Sequence, residues 1–264
     1  MTKTLIVIPA RLASTRLPQK PLAIIHGIPM IVRVWQQALA SGLGPVIVAC
    51  CGPEIANVIR QAGGEAIMTD PHLPSGSDRI VAALNQFDPE GLYDTIINLQ
   101  GDLPTINPGD IRTVMLPLAN KAVDIATLGS RITNPHEIGN PNVVKIAMGC
   151  WHPVKGGETA RAIYFSRQAI PANAVEFYHH IGIYAYRRQA LERYVRLPPS
   201  YLEKTEKLEQ LRALEDGMRI DVAKLMRVPP SVDTSEDLEI VKHFLGDKSK
   251  KAAKEIIIGS LRYE

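Results

Sequence analysis

The sequence has few cysteines and no long apolar run, and both absences restrict the class of protein. None of its apolar stretches comes close to the roughly eighteen residues that span a membrane, so we expect no membrane anchor. Cys50, Cys51 and Cys150 lack the spacing of a metal site, and adjacent cysteines pair poorly as a disulfide. Only a handful of apolar residues separates Lys3 from Pro9, which argues against a signal peptide. We therefore expect a cytoplasmic protein with reduced cysteines.

Two common nucleotide-binding motifs are also missing. The 264 residues contain neither the G-x-x-x-x-G-K-S/T phosphate loop nor the G-x-G-x-x-G dinucleotide motif. An ordinary kinase or dinucleotide dehydrogenase is thereby disfavoured. The net charge of +3 is too small to indicate a nucleic-acid partner, so the basic residues matter by their location.

The first half of the chain alternates between apolar runs and helical patterns. Buried strands are predicted at residues 5–8, 45–51, 66–68 and 95–99, with Pro9 ending the first of them. Helices are predicted from Pro29 to just before Gly42 and at residues 53–62, 77–87 and 110–118. This order predicts an α/β fold with a mixed, mostly parallel sheet flanked by helices.

The pattern changes near residue 124. Longer strands are predicted at 124–131, 143–148 and 177–187, with a turn or loop at 149–157. We interpret residues 124–187 as a smaller antiparallel lobe packed beside a core formed by residues 1–123 and 188–246. Helices are predicted at 188–195, 203–216 and 235–245, and a strand at 219–225. The tail at 247–264 has no predicted role, and the whole chain is predicted to be one domain.

A basic loop follows the first predicted strand. It places Arg11, Arg16 and Lys20 within ten residues, with Ser14 between them. Arginine offers a forked set of donors and lysine a compact charge, so this loop suits a polyphosphate. Ligands of open α/β sheets bind at this edge, where the strands end. The alternative interpretation is a solvated basic loop without a ligand.

Two aspartates are the candidate metal ligands. Asp102 follows the strand predicted at 95–99, and Asp233 precedes the last helix. Two carboxylates beside a polyphosphate are typical of a Mg²⁺ site. The alternatives are a turn residue for Asp102 and a helix-entry residue for Asp233, although Thr234 and Asp237 already match a capping box.

Two further polar segments are candidates for ligand binding. The segment from Ser75 to Arg79 precedes a helix and is either a simple N-cap with an exposed arginine or a site for an anionic group. His180, Gly182 and Tyr184 share one strand face by their spacing of two. A single strand histidine is more often structural than functional, so these residues alone decide nothing.

Together these segments resemble one family in order and spacing. The chain resembles the 3-deoxy-manno-octulosonate cytidylyltransferases, also called CMP-Kdo synthetases, where Kdo is the eight-carbon acidic sugar of their name. The resemblance extends over nearly all of the chain up to about Leu245. It is carried by IPARLASTRLPQKPL (8–22), SGSDR (75–79), NLQGD (98–102), NPNVVK (140–145), IYFSR (163–167), HIGIYAYR (180–187), LEQLRAL (208–214) and VDTSEDL (232–238).

The resemblance implies a fold like that of the nucleotide-diphospho-sugar transferases, with a dimerisation lobe and a homodimer. It implies that CTP and Kdo give CMP-Kdo and pyrophosphate for lipopolysaccharide inner-core synthesis, with Mg²⁺ bound by Asp102 and Asp233. The implied catalytic residues are Lys20, Asp102 and Asp233. The implied nucleotide-binding residues are Arg11, Ser14, Arg16, Lys20, Ser75, Arg79 and Gln100. The implied sugar-binding residues are Gln100, Arg167, His180, Tyr184, Glu209 and Gln210.

Three departures from the family pattern leave alternatives open. Cys51-Gly52 stands where the family commonly has an acidic pair, Leu103 where it has glutamate, and His179 where it often has arginine. A cytidylyltransferase for amino-Kdo or a sialic acid is the nearest alternative, although the sialic acid enzymes usually have a different first loop. A catalytically silent nucleotide-binding regulator is the alternative from another class.

Overall fold

A computed structural model describes residues 3–14 and 16–246. The strands are β1 (Thr4–Ala10), β2 (Ile24–Ile25), β3 (Ile28–Pro29), β4 (Val46–Cys50), β5 (Glu65–Met68), β6 (Thr95–Asn98), β7 (Ile125–Arg131), β8 (Lys145–Met148), β9 (His152–Val154), β10 (Gly157–Ser166), β11 (Tyr178–Arg187) and β12 (Ile220–Leu225). The helices are α1 (Met30–Ala40), α2 (Pro53–Gln61), α3 (Gly76–Phe87), α4 (Pro108–Thr113), α5 (Arg188–Arg196), α6 (Tyr201–Glu206), α7 (Leu211–Glu215) and α8 (235–246). Short 3₁₀ turns lie at Lys20–Leu22, Leu116–Ala119 and Pro135–Glu137.

One large sheet organises the molecule. Its strand order is β5-β4-β1-β6-β11-β7-β12-β10-β8, with β9 paired to β10. The first four strands are parallel, β11 runs antiparallel to both β6 and β7, and β12 is parallel to β7. Helices cover both faces: α1, α2 and α4 contribute to one hydrophobic core, and α3, α5 and α7 to the other. The predicted mixed α/β class is therefore confirmed.

Pro9 does not end the first strand, contrary to the prediction, because β1 continues to Ala10. The Val7 carbonyl accepts a hydrogen bond from the Leu99 N–H, on the side of β6. Residues two apart face the same neighbour, so Pro9 also points to that side. The pairing of β1 with β6 ends at Val7 and Asn98. Because β6 no longer pairs opposite Pro9, the N–H that proline lacks costs the sheet no hydrogen bond.

The predicted lobe is not a sheet of its own. β7, β8, β10 and β11 extend the main sheet, and β11 lies directly between β6 and β7. The long strand β10 was not predicted, and the predicted turn at 149–157 contains β9. Along β10, exposed residues such as Arg161 and Ile163 alternate with buried ones such as Ala162, so β10 lacks the apolar run of a fully buried strand. A dimerisation role for this region stays a prediction.

The single helix predicted at 203–216 is also wrong, because the chain divides it into α6 and α7. Lys207 ends α6 in the left-handed region, with φ of 54°. The Arg167 guanidinium donates to the carbonyls of Glu206, at 3.0 Å, and Lys207, at 3.4 Å. These carbonyls accept bonds from outside the helix, so the next four residues turn toward the sheet edge.

A buried ion pair joins the two halves of the divided helix. The Arg212 guanidinium donates to both carboxylate oxygens of Glu203, at 2.8 and 2.6 Å, and to the Leu197 carbonyl at 3.1 Å. Removing one partner of a buried pair leaves an uncompensated charge, whereas exposed pairs contribute little.

We expect Arg212→Met to lower the free energy of unfolding by about 3 kcal/mol, because Glu203 would keep a buried charge without its partner. Urea unfolding at neutral pH measures this loss. Arg193→Met is the matched control, since the Arg193–Asp216 pair is half exposed and its loss costs less than about 1 kcal/mol. Equal losses in the two variants would contradict the assignment.

Candidate active site

A polar pocket of about 390 Å³ lies at the carboxyl ends of β1 and β6. Four charged or hydroxyl-bearing residues of the loop after β1 line it, namely Arg11, Ser14, Arg16 and Lys20. Every residue predicted to bind the nucleotide lines this pocket; the others are Ser75, Arg79 and Gln100. Asp102 and Asp233 also line it, so the predicted phosphate and metal residues lie together.

The Lys20 ammonium group connects the two candidate metal ligands. It donates to Asp102 Oδ2 at 2.9 Å, to Asp233 Oδ1 at 3.1 Å and to the Val232 carbonyl at 3.0 Å. Burial lowers the pKa of Lys20, but the charges and hydrogen bonds of Asp102 and Asp233 outweigh burial and raise the pKa above its usual value. Lys20 is therefore a fixed positive charge.

Backbone contacts position both aspartates. The Val232 N–H donates to the Asp102 carbonyl at 3.0 Å, which joins the loop after β6 to the loop after β12. The predicted capping box is confirmed: Thr234 Oγ1 accepts from the Asp237 N–H, and Asp237 accepts from the Thr234 N–H. Asp237 also accepts from the Asp233 N–H at 3.0 Å, so the Asp233 carboxylate stays available to the pocket.

A close approach of two loops favours glycine at position 101. A Cβ atom there would lie 3.3 Å from the Pro9 carbonyl oxygen and 3.1 Å from the Ile31 side chain. The absence of a side chain lets the segment after β6 pass beside the end of β1. This approach places Asp102 next to the basic loop.

The predicted N-cap before α3 is confirmed, but Arg79 is buried rather than exposed. Ser75 Oγ accepts from the Asp78 N–H at 3.2 Å. The Arg79 guanidinium donates to Thr69 Oγ1 and to the Asp70 carbonyl. Arg79 therefore lines the first pocket and also holds the segment at Thr69 and Asp70 that leads into Ser75.

A second pocket of about 360 Å³ adjoins the first. Gln100 and Asp102 line both pockets, so they stand at the boundary between them. Five of the six predicted sugar-binding residues line the second pocket, namely Gln100, His180, Tyr184, Glu209 and Gln210. Its other charged or titratable residues are His179 and Lys207.

A bulge in β11 shapes this pocket. The pairing of β11 with β7 shifts between Ile181 and Tyr184, so the strict alternation expected for 180, 182 and 184 is broken. The hydroxyl of Thr127 lies at the bulge, 3.0 Å from His180 Nε2 and 2.8 Å from the Ile183 carbonyl oxygen. His180 and Tyr184 still face one pocket, with their ring centroids 5.4 Å apart.

Both histidines of the second pocket are neutral near pH 7. Burial and the neighbouring His179 lower the pKa of His180 to about 3. Burial and the Lys145 charge lower the pKa of His179 to about 4. Lys145 is itself fully buried and donates to three backbone carbonyls, while burial and the Arg167 charge lower its pKa. The histidines offer hydrogen bonds to a ligand but no charge.

The link between α6 and α7 brings two polar side chains to the pocket. Glu209 Oε1 and Gln210 Nε2 are buried and have no hydrogen-bond partner within the structure. Burial raises the pKa of Glu209, although Ser75, Arg212 and Ser77 partly oppose that rise. Unpartnered buried polar atoms are costly, so their presence at a pocket wall is consistent with a polar ligand.

Arg167 is not in the wall of either pocket. Its guanidinium donates to the carbonyls of Pro141, Glu206 and Lys207, and its N–H donates to the Glu206 carboxylate. All three guanidinium nitrogens therefore serve backbone oxygens. The structure assigns Arg167 to the loops behind the second pocket, and the predicted direct contact with a sugar carboxylate does not fit this arrangement.

The two carboxylates fit Mg²⁺ only if a bound ligand supplies further oxygen atoms. Asp102 and Asp233 place carboxylate oxygens within 3.1 Å of one ammonium group. No cluster of three or more metal-binding side chains occurs in residues 3–14 and 16–246. Magnesium commonly takes one or two carboxylates and completes its octahedron with phosphate oxygens and water. The basic loop beside these aspartates is where such phosphates would bind.

Two adjoining pockets at the carboxyl edge of an α/β sheet, one cationic and one polar, with a carboxylate at their boundary, define a nucleotidyltransferase. The family model described as cytidylyltransferase matches residues 5–220. The 3-deoxy-manno-octulosonate cytidylyltransferase of Paramagnetospirillum magneticum is 56% identical over 91% of this chain and 97% of its own length. The chain belongs to the cytidylyltransferase family, among the 3-deoxy-manno-octulosonate cytidylyltransferases.

Further relatives agree. The 3-deoxy-manno-octulosonate cytidylyltransferase of Rhodospirillum rubrum is 54% identical over 92% of this chain and 95% of its own. The structure of CMP:2-keto-3-deoxy-manno-octonic acid synthetase complexed with CTP matches with a TM-score of 0.84 and 38% identity, over 94% of this chain and all of the other. A nucleotidyl transferase from Methanothermobacter thermautotroptrophicus, 18% identical with a TM-score of 0.58, shares the fold.

Sequence reasoning missed three residues of the second pocket or its support. Thr127 is a buried threonine in an apolar strand, and nothing in its spacing singles it out. His179 was noted only as a departure from the family pattern. Lys207 was placed inside a continuous helix, where it would have been an ordinary surface lysine. Only the bulge and the helix break give Thr127 and Lys207 their positions.

We expect acid to destabilise the protein through His180. Its pKa in the folded state, about 3, lies below the unfolded value near 6.5, so protons bind the unfolded chain more tightly. The stabilisation that neutral His180 contributes is fully present above about pH 6.5, and it decreases as the pH falls toward the folded-state pKa. The free energy of unfolding, measured with urea, should fall between pH 7 and pH 5 by about 2 kcal/mol less in His180→Gln than in the unaltered protein.

The matched control for this titration is His152→Gln, because His152 is exposed. It should leave the pH dependence of the unfolding free energy unchanged. An unaltered pH dependence in His180→Gln would show that this imidazole is not the group that titrates on unfolding.

Proposed function

We propose that this protein transfers the cytidylyl group of CTP to Kdo, giving CMP-Kdo and pyrophosphate. The observation that carries the proposal is the shared wall of the two pockets, formed by Gln100 and Asp102. A triphosphate in the cationic pocket and a sugar in the polar pocket would meet at this wall. The names of the relatives identify the nucleotide and the sugar that such a pair of pockets would take.

The reaction is an in-line displacement at phosphorus. The anomeric hydroxyl oxygen of Kdo forms a bond to the α-phosphorus and gives up its proton to water. The bond between the α-phosphorus and the oxygen that bridges it to the β-phosphorus breaks, and pyrophosphate leaves. Lys20, Arg11 and Arg16 surround the first pocket with the positive charge that this displacement requires. No protein nucleophile is needed, because binding both substrates in adjacent pockets makes the attack effectively intramolecular.

Mg²⁺ is the proposed cofactor, held by Asp102 and Asp233 together with the phosphates. When bound, the ion would neutralise charge that develops on the phosphate oxygens. Lys20 already contacts both carboxylates, so the nucleotide phosphates would compete for its ammonium group as they enter. The same side chain would then connect the phosphates to the aspartates.

The proposed setting follows from the product. CMP-Kdo would supply lipopolysaccharide inner-core synthesis in the cytoplasm, and the working form is proposed to be a homodimer. The described helices include none that is long and apolar enough to span a bilayer. We propose Kdo rather than amino-Kdo or a sialic acid because the relatives are named for 3-deoxy-manno-octulosonate, which is Kdo.

Pyrophosphate release tests the proposal directly. Purified protein with Mg²⁺ and Kdo should release pyrophosphate with CTP and far less with ATP, GTP or UTP, and EDTA should stop the release. Release only with amino-Kdo or a sialic acid would change the substrate and keep the mechanism. Tight CTP binding without release with any of these sugars would favour the regulatory alternative.

We expect Asp102→Ala and Asp233→Ala each to lower the turnover number at least about a hundredfold, because each removes a carboxylate from the reacting edge. Initial rates of pyrophosphate release measure this effect, and circular dichroism checks that the fold is intact. Glu236→Ala is the matched control, since Glu236 is an exposed carboxylate near Asp233. Near-normal turnover in either aspartate variant would contradict the assignment of Asp102 and Asp233 as metal ligands.

A further inference from the structure

The charge in the second pocket is unevenly distributed. Among the described residues that line it, Asp102 and Glu209 carry carboxyl groups, and Lys207 is the one lysine or arginine. An acidic sugar brings a further carboxylate into this space. A carboxylate leaving water for a partly enclosed pocket requires a nearby cation or several donors to offset its lost hydration.

The other basic residues near this pocket are neutral or already partnered, including Lys20, which pairs with Asp102 and Asp233 at the boundary with the first pocket. His179 and His180 are neutral near pH 7, because burial holds their pKa values at about 4 and about 3. The Arg167 guanidinium donates to the carbonyls of Pro141, Glu206 and Lys207 with three of its five N–H groups, and it lines neither pocket. Lys145 is fully buried beneath the sheet surface and is surrounded by backbone oxygens.

The backbone of Lys207 is held in an unusual conformation. Its φ of 54° is one of three positive values among the described non-glycine residues, and such a conformation costs an L-residue roughly 1 kcal/mol or more. Its N–H donates to the Glu203 carbonyl, and its own carbonyl accepts from Arg167. The preceding residue is fixed as well, because the Glu206 carboxylate accepts from Ser166 Oγ at 2.7 Å.

This conformation has a consequence for the side chain. A continuous helix through residue 207 would make Lys207 a surface residue of that helix. The left-handed turn places Lys207, whose side chain remains exposed, in the wall of the pocket, beside Glu209 and Gln210. The contacts of Arg167 and Glu206 therefore fix the origin of a flexible cationic side chain at the edge of the sugar site.

The chemistry of the sugar makes the location of a cation important. In a 2-ulosonic acid the carboxylate carbon is bonded to the anomeric carbon, whose hydroxyl attacks the α-phosphorus. The negative sugar carboxylate must therefore come close to a negative triphosphate. Repulsion between them opposes the reacting geometry unless a positive charge lies beside the carboxylate.

We propose that Lys207 binds the carboxylate of the acidic sugar and determines the preference of this site for acidic over neutral sugars. This inference rests on the proposed function, since it concerns the second substrate of that reaction. Arg167 acts through Lys207, as a positioning residue that holds its backbone. Lys207 contributes binding and charge neutralisation, and the nucleotide site is independent of it.

Steady-state kinetics of Lys207→Gln test the inference, with pyrophosphate release as the readout. The KM for Kdo should rise about tenfold, the value of one charge-assisted hydrogen bond at a partly exposed site, while the KM for CTP stays unchanged. Lys207→Arg should restore most of the affinity. Lys204→Gln is the matched control, because Lys204 is exposed on α6 and lines neither pocket.

A neutral analogue separates a charge effect from a structural one. The unaltered protein should use Kdo much better than its C1 methyl ester, and Lys207→Gln should lose about tenfold of that discrimination. An unchanged discrimination ratio, or equal rises in the KM values for CTP and Kdo, would overturn the assignment of Lys207. Absence of turnover in the unaltered protein would instead overturn the proposed function, and this inference with it.

Discussion

The Lys20 ammonium group is the contact on which the rest of the active site depends. It joins three loops that are far apart in sequence, because its partners are Asp102 after β6 and the Val232 carbonyl and Asp233 carboxylate after β12. Each of its three protons has an oxygen partner. Two negative side chains can therefore lie close together before any phosphate or metal arrives, and the cost of bringing them together is offset within the protein.

The second pocket depends on basic side chains that never enter it. Lys145 and Arg167 together donate to the carbonyls of the 140–143 loop and to those of Glu206 and Lys207, where α6 ends. Backbone oxygens are dipoles, so these cations are satisfied without a carboxylate of their own. The Lys145 charge also lowers the pKa of His179, and the Arg167 charge lowers the pKa of Lys145. The result is a polar pocket whose histidines are neutral and whose loop geometry is fixed.

The two pockets differ in the way they offer charge. The first presents arginine and lysine side chains on a proline-containing loop, which suits a ligand with several negative charges. The second presents amide, hydroxyl, imidazole and carboxyl groups with one lysine, which suits a polyhydroxylated ligand. The departures at Leu103 and His179 both line the second pocket and neither lines the first.

The sequence by itself determined the α/β class, the basic loop and both aspartates, because strand-to-loop transitions and charge clusters are local patterns. It also predicted α1 to α3 closely, since their apolar spacing is regular. Only the tertiary structure decided that Pro9 continues β1, that β11 runs inside the main sheet, and that the 203–216 segment divides at Lys207. Each of these depends on a partner distant in sequence: the end of β6, the edges of β6 and β7, and the Arg167 guanidinium. Long-range hydrogen bonds override the local periodicity from which these elements are predicted.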